Sequence, residues 1–237
     1  MTDRFARFLH LAGIAILTVG TLLTAQIPAA SAQPCPDVEV VFARGTAEPP
    51  GVGGVGQAFV DTLRSQIGPR SMDVYPVNYV ASGDFGDRIG FARTVVDGIR
   101  DAGAHVEATA ANCPNTRIVI GGYSQGAVVA GYVTAAVIPD AVPAEYRSFI
   151  PNPMPPEVAN HVAAVVLFGK PSIQWLNDAG APPIVIGPLY VPKTIDLCAD
   201  GDTICNGAPL GGPTVAHAMY PMNGMVNQAA EFAAGKL

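Results

Sequence analysis

The sequence predicts an α/β fold, a three-layer α/β/α sandwich around a central, mostly parallel five-stranded sheet. Three observations carry that prediction. Five short strand-like runs, at residues 38–42, 74–79, 118–120, 162–168 and 190–197, alternate with helical stretches across most of the chain. Such alternation implies parallel strands covered by helices on both faces. The strand over residues 117–120 meets an apolar helix over residues 127–137 with no room for a loop between them. Finally, 49% of the 237 residues are hydrophobic and 14% are charged, which suits one sizeable core and is far too apolar for disorder.

Residues 1–32 stand apart from that pattern. Arg4 and Arg7 precede an apolar run over residues 11–23, and the run ends in Ala30-Ser31-Ala32. This is the pattern of a secretory signal peptide with a small-residue cleavage site, and the run is short for an uncleaved anchor. The expected organisation is a signal peptide, residues 1–32, then a single domain, residues 33–237, secreted to the extracellular space or the cell wall. No later stretch is long and apolar enough to span a bilayer.

The elements follow in order. After the first strand, Val55, Phe59, Leu63 and Ile67 recur every fourth residue and Gly68-Pro69 stops the helix. After the second, Ile89, Val96, Ile99 and Val106 share one helical face. The link over residues 138–160 is proline-rich and reads as a surface excursion rather than a domain boundary. A last helix is expected from about residue 219 to residue 232.

Several function classes are excluded early. A net charge of −6 with 13 Lys and Arg leaves no basic patch for a phosphate backbone, so nucleic acid is not an expected partner. Gly51, Gly53 and Gly56 form Gly-x-Gly-x-x-Gly ahead of a helix, but the run lies well beyond its strand, behind Pro49-Pro50, where a dinucleotide fingerprint needs a tight turn. A flexible rim near Thr46 is expected instead. No Cys-x-x-Cys occurs and His105, His161 and His217 form no ligand cluster, so no metal is expected.

In an oxidising compartment, Cys35, Cys113, Cys198 and Cys205 suggest two disulfides, with three possible connectivities. Cys198 and Cys205 are close enough to shut a small loop. Cys35 and Cys113 each stand just before a predicted strand, and parallel neighbours would bring them near the Cα separation a disulfide requires.

The chemistry centres on "GGYSQGA". Gly122-Tyr123-Ser124-Gln125-Gly126 is Gly-x-Ser-x-Gly between a strand and a helix, the nucleophile-elbow setting. Its glycines lack side chains because strand and helix approach too closely for a Cβ. Ser124 is thereby exposed on a strained turn, with backbone N–H groups pointing where an oxyanion forms. A serine nucleophile needs a base, and the base an acid, in the chain order Ser, Asp, His. His10 leaves with the leader, His105 precedes the serine, and His161 stands at the wrong end of a parallel strand. His217, in a loop after the last strand, is the base by elimination and by place. For the acid, Asp196 alternates within a strand and reads as structural, while Asp200 and Asp202 both lie between Cys198 and Cys205. The residues alone leave those two even.

The stretches "VVFARGTAEPPGVGGVG", "GGYSQGA", "CADGDTIC" and "AHAMY" resemble the cutinase family of serine esterases over nearly all of the mature chain. The likeness to the cutinase-like proteins secreted by mycobacteria is closer, in "CPNTRIVIGGYSQGA" and "VAAVVLFGKP". The resemblance implies an α/β-hydrolase-like sheet of cutinase type and selects Asp202, after the glycine of the cysteine loop, as the acid. It also implies an oxyanion hole from the Thr46 N–H and hydroxyl and the Gln125 N–H, and pairs Cys35 with Cys113 and Cys198 with Cys205. The chain departs from the fungal enzymes in a longer glycine-rich interval before His217 and a longer proline-rich excursion, both of which bear on substrate preference.

The expected function is a secreted serine esterase acting on cutin-like polyester, short- to medium-chain acyl esters or lipids. The alternatives are a lipase, a phospholipase or a polysaccharide acetyl esterase on the same triad, or a non-catalytic lipid-binding or antigenic module. No cofactor is required. The expected state is a monomer making transient contact with lipid surfaces, with residues 182–189 and 210–215 lining an acyl-chain groove.

Overall fold

The computed structural model describes residues 34–237, so the leader expected over residues 1–32 lies outside the described residues. The chain runs through β1 (Val38–Ala43), α1 (Gly53–Gln66), β2 (Met72–Pro76), α2 (Arg88–Asn112), β3 (Arg117–Tyr123) and α3 (Gln125–Val133). It continues through β4 (Val162–Phe168), α4 (Ile173–Ala179), β5 (Thr194–Leu197), α5 (Val215–Ala218) and α6 (Met225–Ala234). The five strands pair in the order β2-β1-β3-β4-β5, every pair parallel. Strand order reverses at β1, which has β2 on one side and β3 on the other. The gap between the C-terminal ends of β1 and β3 is therefore the crevice in which such sheets hold their ligands.

Both faces of the sheet are buried. On β1, Val38, Val40 and Phe42 point to the layer of α1 and α6, meeting Phe59, Leu63 and Val226, while Val41 and Ala43 point to the layer of α2 and α3. All seven residues of β4, "VAAVVLF", are buried, as a strand covered by helices on both sides requires.

Five elements depart from the sequence reading. β2 ends at Pro76 instead of continuing to residue 79: the Val77 N–H still reaches the Phe42 carbonyl at 3.0 Å, and beyond it Tyr79 turns inward, its ring 5.0 Å from the Arg44 guanidinium. β5 starts only at Thr194, since Pro192 shapes residues 191–193 into a short 3-10 turn. α3 stops at Val133 rather than residue 137, where the Thr134 hydroxyl bonds back to the Ala130 carbonyl at 3.0 Å. The expected final helix starts at Met225 rather than near residue 219: residues 219–224 are turns, and Gly224 opens α6 in a left-handed conformation.

The fifth departure is the face of α2. Its core side is Val95, Gly98, Ala102, Val106 and Ala110, so Val106 alone of the expected face is buried there. Small residues let the helix sit close, and a Cβ at Gly98 would be 3.0 Å from Val129 and 3.1 Å from Tyr79. Ile89, Val96 and Ile99 are left on the outside, half-buried or exposed. Residues 138–160 form the expected excursion, with 3-10 turns at Ala144–Phe149 and Pro156–Asn160.

Both disulfides are present, Cys35 with Cys113 at a Cα separation of 5.5 Å and Cys198 with Cys205 at 5.6 Å. They span 78 and 7 residues of sequence. On chain entropy, the long loop stabilises the fold by about 4.5 kcal/mol and the short one by about 2.5 kcal/mol. Replacing Cys35 and Cys113 together by alanine should therefore lower the melting temperature more than replacing Cys198 and Cys205, as followed by circular dichroism without reductant. Equal shifts would mean that loop length does not govern their contributions.

Candidate active site

The site is assembled at the end of β3. Gly122 and Gly126 flank Ser124, and backbone proximity leaves no choice of residue at either place. A Cβ at Gly122 would lie 2.1 Å from the Gly126 carbonyl oxygen, and one at Gly126 would lie 1.9 Å from that of Ala43. The chain between them is forced into a sharp turn, with Ser124 at φ 54° and ψ −115°. A non-glycine residue holds such a conformation only where its surroundings dictate it. Here the Ser124 N–H donates to the Phe168 carbonyl at 2.9 Å, and the Ser124 carbonyl accepts the Ala127 and Val128 N–H groups of α3 at 2.9 and 3.1 Å.

Ser124 Oγ donates to His217 Nε2 at 2.9 Å, and His217 Nδ1 donates to Asp202 Oδ2 at 2.8 Å. Three elements with no sequence proximity thus form one hydrogen-bonded chain. His217 sits on the single turn of α5 and is 6% exposed. Its backbone carbonyl accepts the Tyr123 hydroxyl at 2.7 Å, and the Tyr123 ring lies 5.1 Å from the imidazole.

Asp202 is completely buried. Besides His217, its carboxylate accepts the Ile204 N–H on Oδ1 at 3.0 Å and the Tyr220 hydroxyl on Oδ2 at 2.7 Å. Burial alone pushes this carboxyl up. The hydrogen bonds from His217, Tyr220 and the Ile204 amide, with the charge of His217, outweigh it and hold the carboxyl below its ordinary range. The other candidates are elsewhere: Asp200 is exposed, and Asp196 pairs with Lys170 at 3.2 Å. His105 pairs with Glu39 at 2.8 Å and stacks on Tyr75, and His161 precedes β4 at the far end of the sheet.

Thr46 and Gln125 border the same groove as Ser124 and His217. Gln125 opens α3, where helical N–H groups have no intrahelical partner. The loop carrying Thr46 is locked by a buried guanidinium: Arg44 donates to the carbonyls of Glu48, Val77 and Tyr79. The Glu48 carboxylate in turn accepts the N–H groups of Gly45 at 2.6 Å and Gly54 at 2.7 Å. This explains the glycine run. A Cβ at Gly53 would strike the Glu48 carboxylate at 2.2 Å and one at Gly56 would strike Phe42 at 2.6 Å, so the start of α1 is filled by the chain's own acid.

A groove of about 1990 Å³ leads away from Ser124. Its walls are the outward side chains of α2, including Ile89, Val96 and Ile99, and the proline-rich excursion with Tyr146 and Phe149. Of the two segments expected to form it, residues 210–213 do so, but of residues 182–189 only Pro182 does. The rest of that segment covers α3, where Ile184 and Ile186 press on Gly131. Among the described residues, the nearest approach to a metal-ligand cluster is Cys198, Asp202 and Cys205. Its two sulfurs are bonded to each other and offer no thiolate.

Three residues at the site escaped the sequence reading: Tyr123, Gly169 and Tyr220. Gly169 had a signal, a glycine directly after a predicted strand, and its φ is 57°. Tyr220 had none beyond its place three residues after His217.

The sequence profile of the family described as Cutinase matches residues 34–237. The chain is 61% identical over 173 residues to a probable carboxylesterase, Culp7, of Mycobacterium tuberculosis, covering 73% of this chain and 89% of that protein. It is 47% identical over 242 residues to the carboxylesterase Culp1 of Mycobacterium bovis, covering 100% and 98%. Among solved structures, the cutinase of Trichoderma reesei in complex with a phosphonate inhibitor is 30% identical, with a TM-score of 0.61 over 85% of this chain and 77% of that chain. The fold is α/β-hydrolase-like.

Gly169 supplies a test of how closely the hydrogen-bonded chain is packed. A Cβ there would lie 2.9 Å from His217 Cε1 and 3.1 Å from Asp202 Oδ2. Gly169→Ala should lower kcat for p-nitrophenyl butyrate by roughly 10²-fold, the scale of a misplaced reacting group. The backbone strain should cost only about 1–3 kcal/mol of stability. A folded variant with unchanged kcat would show that the imidazole has room to move.

Proposed function

The chain belongs to the cutinase family and is a carboxylic ester hydrolase, and we propose that it works through an acyl-enzyme on Ser124. The observation that carries this reading is the unbroken chain of hydrogen bonds from Ser124 through His217 to Asp202, at 2.9 and 2.8 Å. His217 Nε2 takes the Oγ proton as Ser124 attacks the ester carbonyl. Asp202 keeps the other proton on Nδ1 and stabilises the imidazolium that forms. The backbone N–H groups of Thr46 and Gln125, with the Thr46 hydroxyl, receive the charge that develops on the carbonyl oxygen. His217 then gives its proton to the leaving alcohol, and water repeats the cycle on the acyl-enzyme.

The substrates are acyl or lipid esters, including cutin-like polyester. A long apolar groove beside the serine favours them over acetylated polysaccharide, since an acetyl group leaves most of such a groove unused. A hydrogen-bonded Ser124, His217 and Asp202 also argues against a binding module that has lost turnover. Exposed Phe85, Ile89 and Phe149 around the groove suit transient contact of a monomer with a lipid surface. Secretion is supported by the leader pattern of residues 1–32 and by the two disulfides; the mature domain would be residues 33–237.

Two experiments test the assignment. A fluorophosphonate ester should label Ser124, found by peptide mapping, and the labelling and the hydrolysis of p-nitrophenyl butyrate should both vanish in Ser124→Ala. The Trichoderma cutinase carries a related phosphonate. Asp202→Asn should lower kcat by something like the ~10⁴-fold that follows loss of a triad acid, whereas Asp200→Asn should stay within a few-fold of the parent. The reverse order would move the acid to Asp200. A panel of esters graded by acyl length separates cutinase, lipase, phospholipase and acetyl esterase preferences.

A further inference from the structure

Among the described residues, Tyr220 heads the fully buried side chains by size. Its ring packs edge-on against Phe168 at 5.8 Å and Tyr123 at 5.9 Å. A phenylalanine would fill that space equally well. The hydroxyl is what phenylalanine lacks, and it makes three contacts inside the loop shut by the small disulfide. It donates to Asp202 Oδ2 at 2.7 Å, accepts the Ala199 N–H at 3.1 Å and lies 3.6 Å from Cys205 Sγ. The oxygen it reaches is the one that accepts the His217 Nδ1 proton.

We infer that Tyr220 is a positioning residue of the hydrolysis, holding Asp202 Oδ2 in line with His217 and sharing the charge of that oxygen. The inference rests on the Ser124, His217 and Asp202 mechanism above. The hydroxyl ties Asp202 to Ala199, so the acid's loop cannot shift relative to α5. It also withdraws electron density from Oδ2. When His217 takes up the serine proton, two donors compete for that oxygen, its proton affinity stays low, and the proton remains on Nδ1. Without the hydroxyl, the carboxylate's charge concentrates on its contact with the imidazole. The protonated, inactive form of His217 is then favoured in the resting enzyme, and the acid limb of kcat/KM moves to higher pH.

The other groups facing the pair do not blur this sign. Tyr123 approaches from β3, and burial pushes both its phenol and that of Tyr220 far above the working pH, so neither carries charge. Glu48, on the loop after β1, lies beyond Tyr123 and is engaged by the Gly45 and Gly54 amides. Asp200 is exposed on the same loop as Asp202.

The test is Tyr220→Phe in the full chain, with p-nitrophenyl butyrate as substrate, below the melting temperature of every variant. The expected result is a roughly ten-fold fall in kcat, an unchanged KM and an acid limb raised by about half to one pH unit, the scale of a lost hydrogen bond to a charged group. Site-specific 3-fluorotyrosine at position 220 keeps the ring and strengthens the donor, so it should move the limb to lower pH. That arm decides the matter if Tyr220→Phe does not fold. In an Asp202→Asn background, Tyr220→Phe should change kcat less than two-fold. A lowered melting temperature with the limb unmoved, or a limb insensitive to fluorination, would make Tyr220 a packing residue and overturn the inference. Near-parental activity of Asp202→Asn alone would instead overturn the underlying mechanism.

Discussion

The close approach of backbones at the junction of β3 and α3 is the constraint on which the rest depends. Gly126 lies against the Ala43 carbonyl and Gly122 against Gly126, so β1, β3 and the start of α3 meet with no side chain between them. That contact turns the chain at Ser124 into a conformation few residues adopt. It sets the hydroxyl beside the His217 imidazole and starts α3 at the switch in strand order. One steric fact thus sets the serine and the start of its helix, before any loop is added.

The remaining parts are held by loops, which need ties that the sheet does not provide. Arg44 is buried, and backbone carbonyls rather than a carboxylate solvate its charge. It fixes the loop bearing Thr46 to the strands beneath it. Asp202 depends on a disulfide and the phenol of Tyr220, and His217 on the phenol of Tyr123. Each polar tie is buried with its partner supplied, as burial of polar groups demands. The cluster is therefore rigid although two of its members stand outside regular strands and long helices.

Sequence pattern read best where one interaction dominates. The strands show through because burial on both faces leaves apolar residues at consecutive positions, and the elbow shows through because only glycine fits beside Ser124. The face of α2 misled because it bears two apolar stripes. Gly98 and Ala102 are poor in hydrophobic signal, yet they form the packed side, where closeness matters more than bulk. Larger Ile89, Val96 and Ile99 serve the groove. Asp202 and Asp200 were inseparable by spacing, since what distinguishes them is a turn at Gly201 (φ 81°) that sends one carboxylate inward and the other to solvent. Tyr220 lies in "AHAMY", yet nothing around it marks the work of its hydroxyl, because its partner Asp202 lies 18 residues earlier and meets it only in the folded chain.

The proline-rich excursion takes no part in the sheet. Its bonds are largely its own, with Arg147 donating to the Val142 and Pro139 carbonyls, and its side-chain ties to the rest include Arg100 to the Phe149 carbonyl at 2.8 Å. Only its end is fastened to the sheet, where Val158 and Ala159 join the core and the Ala159 and Asn160 carbonyls accept Lys193 and Arg117, so the stretch before them can vary in length without shifting strand register. The wall of the cleft and the reacting atoms are thus carried by separate parts of the chain, so a change in one need not be transmitted to the other.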